Sequence, residues 1–367
     1  MKILFFCWEY PPEGAGIGRY IAEMSAALQS AGHEIIVVTS EADGAPAQEA
    51  LPNGVLYRLF KRSQMRDPGL AERVAKLARE HRVDWIEGAD HWGECVALLA
   101  RTDRPPVVVK MHYNDVVKRL RYAQAHYGWQ RALIDLACLR QWRSIHAERY
   151  SLAHADVLTA CSQRILDEAR DQGVPLCAHV AVLPNPIRPL AQWDNSPAMV
   201  PTLLFVGRLD FGKGIAHLRP LIESLVEHIP DVVLEVAGGD SYARGVGSLR
   251  SWFERDMAGL REHVRFLGPL TPEALDDAYR RAWVVVAPSI WDTFPQVLLE
   301  AMVRAKPVVT SPHGGMAEMV AGTGCPVHDP ADKAFAFSVR RLLEDTGARD
   351  TLGSALQVRA HAAYAPA

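Results

Sequence analysis

From Lys2 to about residue 184 the chain alternates short apolar, β-branched runs with helical stretches, and after a proline-rich break the alternation begins again. The first series holds KILFFCW, EIIVVTS, VLYRLF, VDWIEGA, PVVVKMH and DVLTACS; the second holds TLLFVGR, VVLEVAG, VRFLG, WVVVAPS, PVVTS and a weaker CPVH. Apolar runs of this length spaced by helices are the pattern of a parallel sheet covered on both faces. The break, Pro184 to Pro201, has poor periodicity and suits a linker. The expectation is an α/β protein of two Rossmann-like domains facing each other across a cleft, residues 1–190 and 191–350. Residues 351–367 are the candidate for a final helix returning to the first domain.

Size agrees, since 367 residues exceed one ordinary core at about 150 residues per domain. A hydrophobic fraction of 49% with 23% charged residues is that of a soluble globular protein. No stretch approaches the roughly 20 apolar residues of a membrane span. In MKILFFCWEYPPE, charge and proline end the apolar run before any cleavage-site pattern, so it reads as a first strand. Six scattered cysteines without CxxC spacing favour reduced thiols and a cytoplasmic setting, and argue against a cysteine-held metal. A net charge of −3 argues against general affinity for nucleic acid.

Ligands of open α/β sheets bind beyond the carboxyl ends of the strands, so polar residues just after strands carry most weight. APSIWDTFPQVLLEAM, residues 287–302, sets Asp292 and Glu300 at the two ends of a strand-turn-helix unit. Glu300 interrupts an otherwise apolar helix. Either it faces solvent, or it is buried and must be paired, hydrogen-bonded or protonated. GRLDFGKGI places Arg208 and Lys213 among Gly207, Gly212 and Gly214 at the mouth of a helix, which suits a phosphate or a turn with solvated charges. EYPPEGAGIGRY carries Gly14, Gly16 and Gly18, looser than a dinucleotide fingerprint, and Glu41 meets the acidic requirement of that fingerprint only loosely. His112 ends PVVVKMH and precedes Asn114 and Asp115; a strand-terminal histidine is a structural hydrogen-bonder or a catalyst. In PVVTSPHGGMAEMV, Glu318 follows Gly314 and Gly315 in a first helical turn, where it serves a ligand or the helix dipole. The basic stretch 116–150, with Trp129 and Trp142, is a helical hairpin or a surface for anionic lipid or an anionic acceptor. No DxD run or histidine cluster demands a metal.

Together and in order, these segments resemble the retaining GT-B enzymes of glycosyltransferase family 4, from the first strand to about Asp332. GAGIG is similar to the family's first loop, KMHYND to its histidine loop, HADVLTACS to its "aD.vi..S" segment and LPNPI, around Asn185, to its interdomain asparagine. VGRLDFGKG resembles the phosphate-binding Arg and Lys loop, VRFLGPL the base-side strand and loop, HGGMAEMV the Gly-Gly-x-x-Glu element, and residues 292–300 the E-x7-E motif.

The resemblance implies that Arg208 and Lys213 hold the diphosphate of a nucleotide sugar, that Glu300 binds the ribose hydroxyls, and that Asp292 sits at the donor sugar. Phe294, Pro295 and Gln296 would line that pocket with Gly207. Gly16 would approach the phosphates or acceptor, and His112 the transferring sugar. The chain departs from the family in having Asp292 for the first Glu of E-x7-E and Pro186 where Gly is common. The implied function is retaining transfer from a nucleoside diphosphate sugar to a hydroxyl acceptor, with no cofactor, in the cytoplasm or at the inner membrane face. A non-catalytic nucleotide-sugar-binding protein and a nucleotide-sugar epimerase are the alternatives.

Overall fold

A computed structural model describes residues 1–12, 16–112, 142–190, 193–243 and 245–366. Its two compact units are Met1–Pro186 and Ile187–Ala365.

The strands of the first unit are β1 (Lys2–Phe6), β2 (Glu34–Ser40), β3 (Gln48–Leu51), β4 (Gly54–Phe60), β5 (Trp85–Ala89), β6 (Val107–Met111), β7 (Val157–Ala160) and β8 (Val180–Val182). They form one sheet in the order β3-β4-β2-β1-β5-β6-β7-β8. Every pairing is parallel except β3 with β4, which is antiparallel. The central strands are apolar on both faces because helices cover both, as the unbroken runs ILFF and IIVV require. Helix α1 (Gly16–Ser30) lays Tyr20 and Ile21 on a cluster of Ile3, Phe5, Cys7, Ile35, Val37 and Leu56. Helix α2 (Pro68–Glu80) starts on an Asp67 cap with proline in its first turn. Helices α3 (Trp142–His154) and α4 (Gln163–Asp171) complete the named elements of this unit.

The second unit has β9 (Thr202–Val206), β10 (Val233–Ala237), β11 (Val264–Gly268), β12 (Val284–Ala287) and β13 (Val308–Thr310). They pair in parallel in the order β11-β10-β9-β12-β13. Its helices include α5 (Leu218–Val226), α6 (Leu249–Asp256), α7 (Pro272–Arg281), α8 (Gln296–Val303), α9 (Met316–Met319), α10 (Lys333–Glu344) and α11 (Thr346–Ala363). CPVH does not form a strand: Val327 makes a single bridge to Thr310. The last helix, α11, packs on α8 and α10 within the second unit.

Cys7, Cys95 and Cys161 are buried free thiols, and Cys177 and Cys325 are half-buried. Among the described residues no helix is long and apolar enough to cross a membrane. Of the basic stretch 116–150, only Trp142 onward is described; there it is helical, with Trp142 exposed. Gly14, Asn114, Asp115 and Trp129 lie outside the described residues.

Candidate active site

In the second unit the loops after β9 and β12 are built around each other. Gly214 has φ +80°, and a Cβ there would sit 1.9 Å from the Pro288 carbonyl oxygen, so only glycine lets the two loops meet. The Ile290 amide donates to the Gly212 carbonyl at 2.9 Å. On the other side, the Leu209 amide donates to the Gly239 carbonyl at 2.9 Å. Asp210 caps the turn by accepting from the Gly212 amide at 2.7 Å. Arg208 and Lys213 therefore project from a backbone pinned on both flanks, Arg208 exposed and Lys213 half-buried. Gly207, at φ 156°, carries the chain out of β9.

Lys213 Nζ donates to Asp292 Oδ2, an ion pair that joins the basic loop to the first carboxylate of the 292–300 segment. The Asp292 backbone is fixed separately. Its carbonyl accepts from the Gly315 amide at 3.0 Å, and Gly314, at φ +67°, leaves room for it where a Cβ would come within 2.0 Å. The Gly-Gly element thus serves first to seat Asp292. Glu318 follows in α9 and is half-buried.

Phe294 and Pro295 are buried, and Pro295 begins α8 without a side-chain cap. Gln296 Oε1 is enclosed with no hydrogen-bond partner. Phe294 meets the edge of Tyr364 at 5.4 Å between ring centroids. Tyr364 Oη donates to the Met319 carbonyl at 3.0 Å, and its own carbonyl accepts from the Ile187 amide at 2.8 Å. Glu300 is 3% exposed, which removes the solvent-face reading, and it accepts from Tyr279 Oη at 2.8 Å. Tyr279 gave no local signal in the sequence: it is one apolar position on an amphipathic helix.

In the first unit, His112 and Gly16 share an edge. The His112 ring lies 4.5 Å from that of Tyr20, one turn beyond Gly16 on α1, and its amide donates to Asp90 Oδ1 at 2.9 Å. Burial, then the charges of Lys110 and His91, holds the imidazole well below its usual pKa, so it is neutral near pH 7. Beneath it, Tyr20 Oη donates to Glu87 Oε1 at 2.6 Å, while Lys110 lies 5.2 Å from the centre of the Tyr20 ring and donates to the Leu183 carbonyl. Asn185 is buried, with Cys161 Sγ 3.3 Å from its Oδ1.

The glycine-rich turn holds an element the sequence did not flag. Glu9 Oε1 accepts from the Ile17 and Gly18 amides, so a protein carboxylate already occupies the start of α1. Beside it, Trp8 and Trp92 stack with 6.4 Å between centroids, and the Arg62 guanidinium lies 3.9 Å and 4.2 Å from them. Glu94 is fully buried next to Glu9 and Asp90; desolvation and those two charges push its pKa well up, against the Trp8 amide and Arg62. An acid directly after β1, in CWEY, is the signal that could have found Glu9.

Two family profiles divide the chain between them: "Glycosyltransferase Family 4" matches residues 14–189 and "Glycosyl transferases group 1" matches residues 191–358. The protein is a GT4-like glycosyltransferase. The enzyme is 29% identical over 399 residues to a glycogen synthase of Mycobacterium tuberculosis, covering 98% of this chain and 90% of the relative. Its fold is that of GT-B glycosyltransferases. It superposes on sucrose-phosphate synthase of Thermosynechococcus elongatus with TM-score 0.80 at 24% identity, covering 99% and 95% of the two chains. Against the Anabaena protein HepE in complex with UDP-glucose the TM-score is 0.74 at 19% identity, covering 100% and 96%.

Proposed function

We propose that this glycosyltransferase transfers a sugar, with retention of anomeric configuration, from a nucleoside diphosphate sugar to a hydroxyl acceptor. The observation that carries this reading is the Lys213–Asp292 ion pair. It joins the residue assigned to the diphosphate to the residue assigned to the donor sugar, the two groups flanking the bond that breaks. Negative charge grows on the leaving oxygens as that bond lengthens, and Arg208 and Lys213, carried on the pinned loop, supply the positive charge that stabilises it once the diphosphate takes the place of Asp292 at Lys213. The acceptor hydroxyl then attacks on the face the diphosphate leaves, and a leaving-group oxygen takes its proton. No enzyme nucleophile, metal or cofactor is required by this route. His112, neutral near pH 7, is assigned to the transferring sugar as a hydrogen-bonding group and not as a cation. The complex of HepE with UDP-glucose makes that donor the first to test.

The experiment is nucleotide release from UDP-, ADP- and GDP-sugars with a panel of hydroxyl acceptors, for the wild type and Lys213→Ala. Transfer with retained configuration, reduced on the order of 10²-fold or more in Lys213→Ala, is the expected result. Binding without transfer or hydrolysis would make the chain a binding protein. Isomerisation of the donor alone, followed by NMR, would make it an epimerase. Unchanged turnover in Lys213→Ala would overturn the diphosphate assignment.

A further inference from the structure

In the interior of the second unit, Tyr279 and Glu300 link α7 to α8. Tyr279, with no exposed surface, donates from Oη to Glu300 Oε2 at 2.8 Å and stands 3.4 Å from the Val297 carbonyl. The ring is clamped as well. Arg304, one turn beyond Glu300, lays its guanidinium 4.9 Å from the Tyr279 ring centroid and donates to the Glu300 carbonyl at 2.9 Å. Asp276 and the Trp193 ring hold that guanidinium from the other sides.

Phenylalanine would fill the same space. A phenol in a core is worth its desolvation only if its hydroxyl is bonded, and here the bond goes to the carboxylate assigned to the ribose. The last torsion of a glutamate is soft and roughly two-fold, so an unheld carboxylate samples many planes. A diol accepts only some of them. We propose that Tyr279 is a positioning residue that sets the plane of the Glu300 carboxylate for the ribose hydroxyls, and so makes the enzyme discriminate ribonucleotide from deoxyribonucleotide donors. This rests on the assignment of Glu300 to the ribose. A site built to bond a hydroxyl rejects the analogue lacking it because its own polar group is left unpaired, and the rejection is only as sharp as that group is fixed.

The test is a binding comparison by calorimetry, using UDP, ADP and GDP, each beside its 2′-deoxy counterpart, on wild type, Tyr279→Phe and Glu300→Gln. Wild type is expected to favour the ribonucleotide by about 30-fold or more. In Tyr279→Phe the ribonucleotide should weaken about 10-fold, with the deoxynucleotide held within about 2-fold. A variant that weakened both alike, or neither, would overturn the positioning role, because a merely structural tyrosine has no means of sensing one ribose oxygen. If instead Glu300→Gln kept the full preference for ribonucleotide, the assignment of Glu300 itself would fail. Should Tyr279→Phe not fold, Glu300→Asp withdraws the carboxylate from Tyr279 and must lose the preference in the same way; its retention would overturn the role too. Failure of every nucleotide to bind wild type would overturn both readings.

Discussion

Glu9 accepts a 3.0 Å hydrogen bond from the Gly18 amide and another, also 3.0 Å, from Ile17, so the anion that the start of α1 favours is supplied by the protein itself. An external phosphate can bind those amides only by displacing a buried carboxylate. Gly18 is fitted to this arrangement, since a Cβ there would lie 3.1 Å from the Glu9 carbonyl oxygen.

Removing the Glu9 carboxylate should therefore expose the anion site. Glu9→Ala is expected to lose about 1 kcal/mol of stability through the lost cap. Inorganic phosphate should then raise its melting temperature more than it raises that of wild type. Equal phosphate responses in thermal-shift measurements would contradict this.

Asp292 is held through its backbone by Gly314, so that glycine should be sensitive for two reasons, its positive φ and the 2.0 Å approach of the Asp292 carbonyl. Gly314→Ala is expected to cost several kcal/mol or to move Asp292, and to lower turnover by about 100-fold or more. Gly322→Ala provides the control, because Gly322 shares a positive φ of +78° but faces open space. It should cost about 1–2 kcal/mol and leave turnover nearly intact. Similar turnover in the two variants would remove the structural role assigned to the Gly-Gly element.

The Lys213–Asp292 ion pair separates two roles. Asp292→Asn should leave UDP affinity unchanged or higher, because Lys213 no longer has a carboxylate competing with the diphosphate. Turnover should fall on the order of 10²-fold. Product-inhibition constants measured beside kcat decide the matter, and a large loss of UDP affinity with kcat intact would reverse the assignment.

Two groups of the first unit, the half-buried His112 and the buried Glu94, make stability depend on pH in opposite directions. His112 has a folded pKa depressed by burial, Lys110 and His91, so the unfolded chain binds the extra proton first and this contribution is lost as pH falls below about 6.5. Glu94 has a raised folded pKa, so its contribution is present below the unfolded value, about 4.3, and lost as pH rises above it. Glu94→Gln should thus melt higher than wild type at pH 7.5, with the difference shrinking toward pH 4.5. A constant difference across that range in calorimetry would show that the Glu94 charge is not what costs stability.

The strand and helix alternation was legible because parallel sheets covered on both faces demand unbroken apolar runs, as in VVVA of β12 and IIVV of β2. The loop assigned to the diphosphate stood out because its glycines and basic residues are contiguous. What escaped was contact between distant segments. Tyr279 and Glu300 are 21 positions apart, and nothing near either names the other. The antiparallel edge strand β3, QEAL, lacks the β-branched residues that mark a strand and exists because β4 offers it a ladder. CPVH failed as a strand for the converse reason, since Val327 makes only one bridge to β13.

Tyr364 packs against Phe294, bonds to Met319 and anchors Ile187. On the ribosome this partner of Phe294 is made about 70 residues after it, roughly 4–14 s later at ordinary elongation rates. Through that interval the loop assigned to the donor sugar has its backbone but not the ring that walls it. The second unit therefore acquires that wall well after the loop it covers, and a chain stalled short of Tyr364 would carry Arg208, Lys213 and both carboxylates without it.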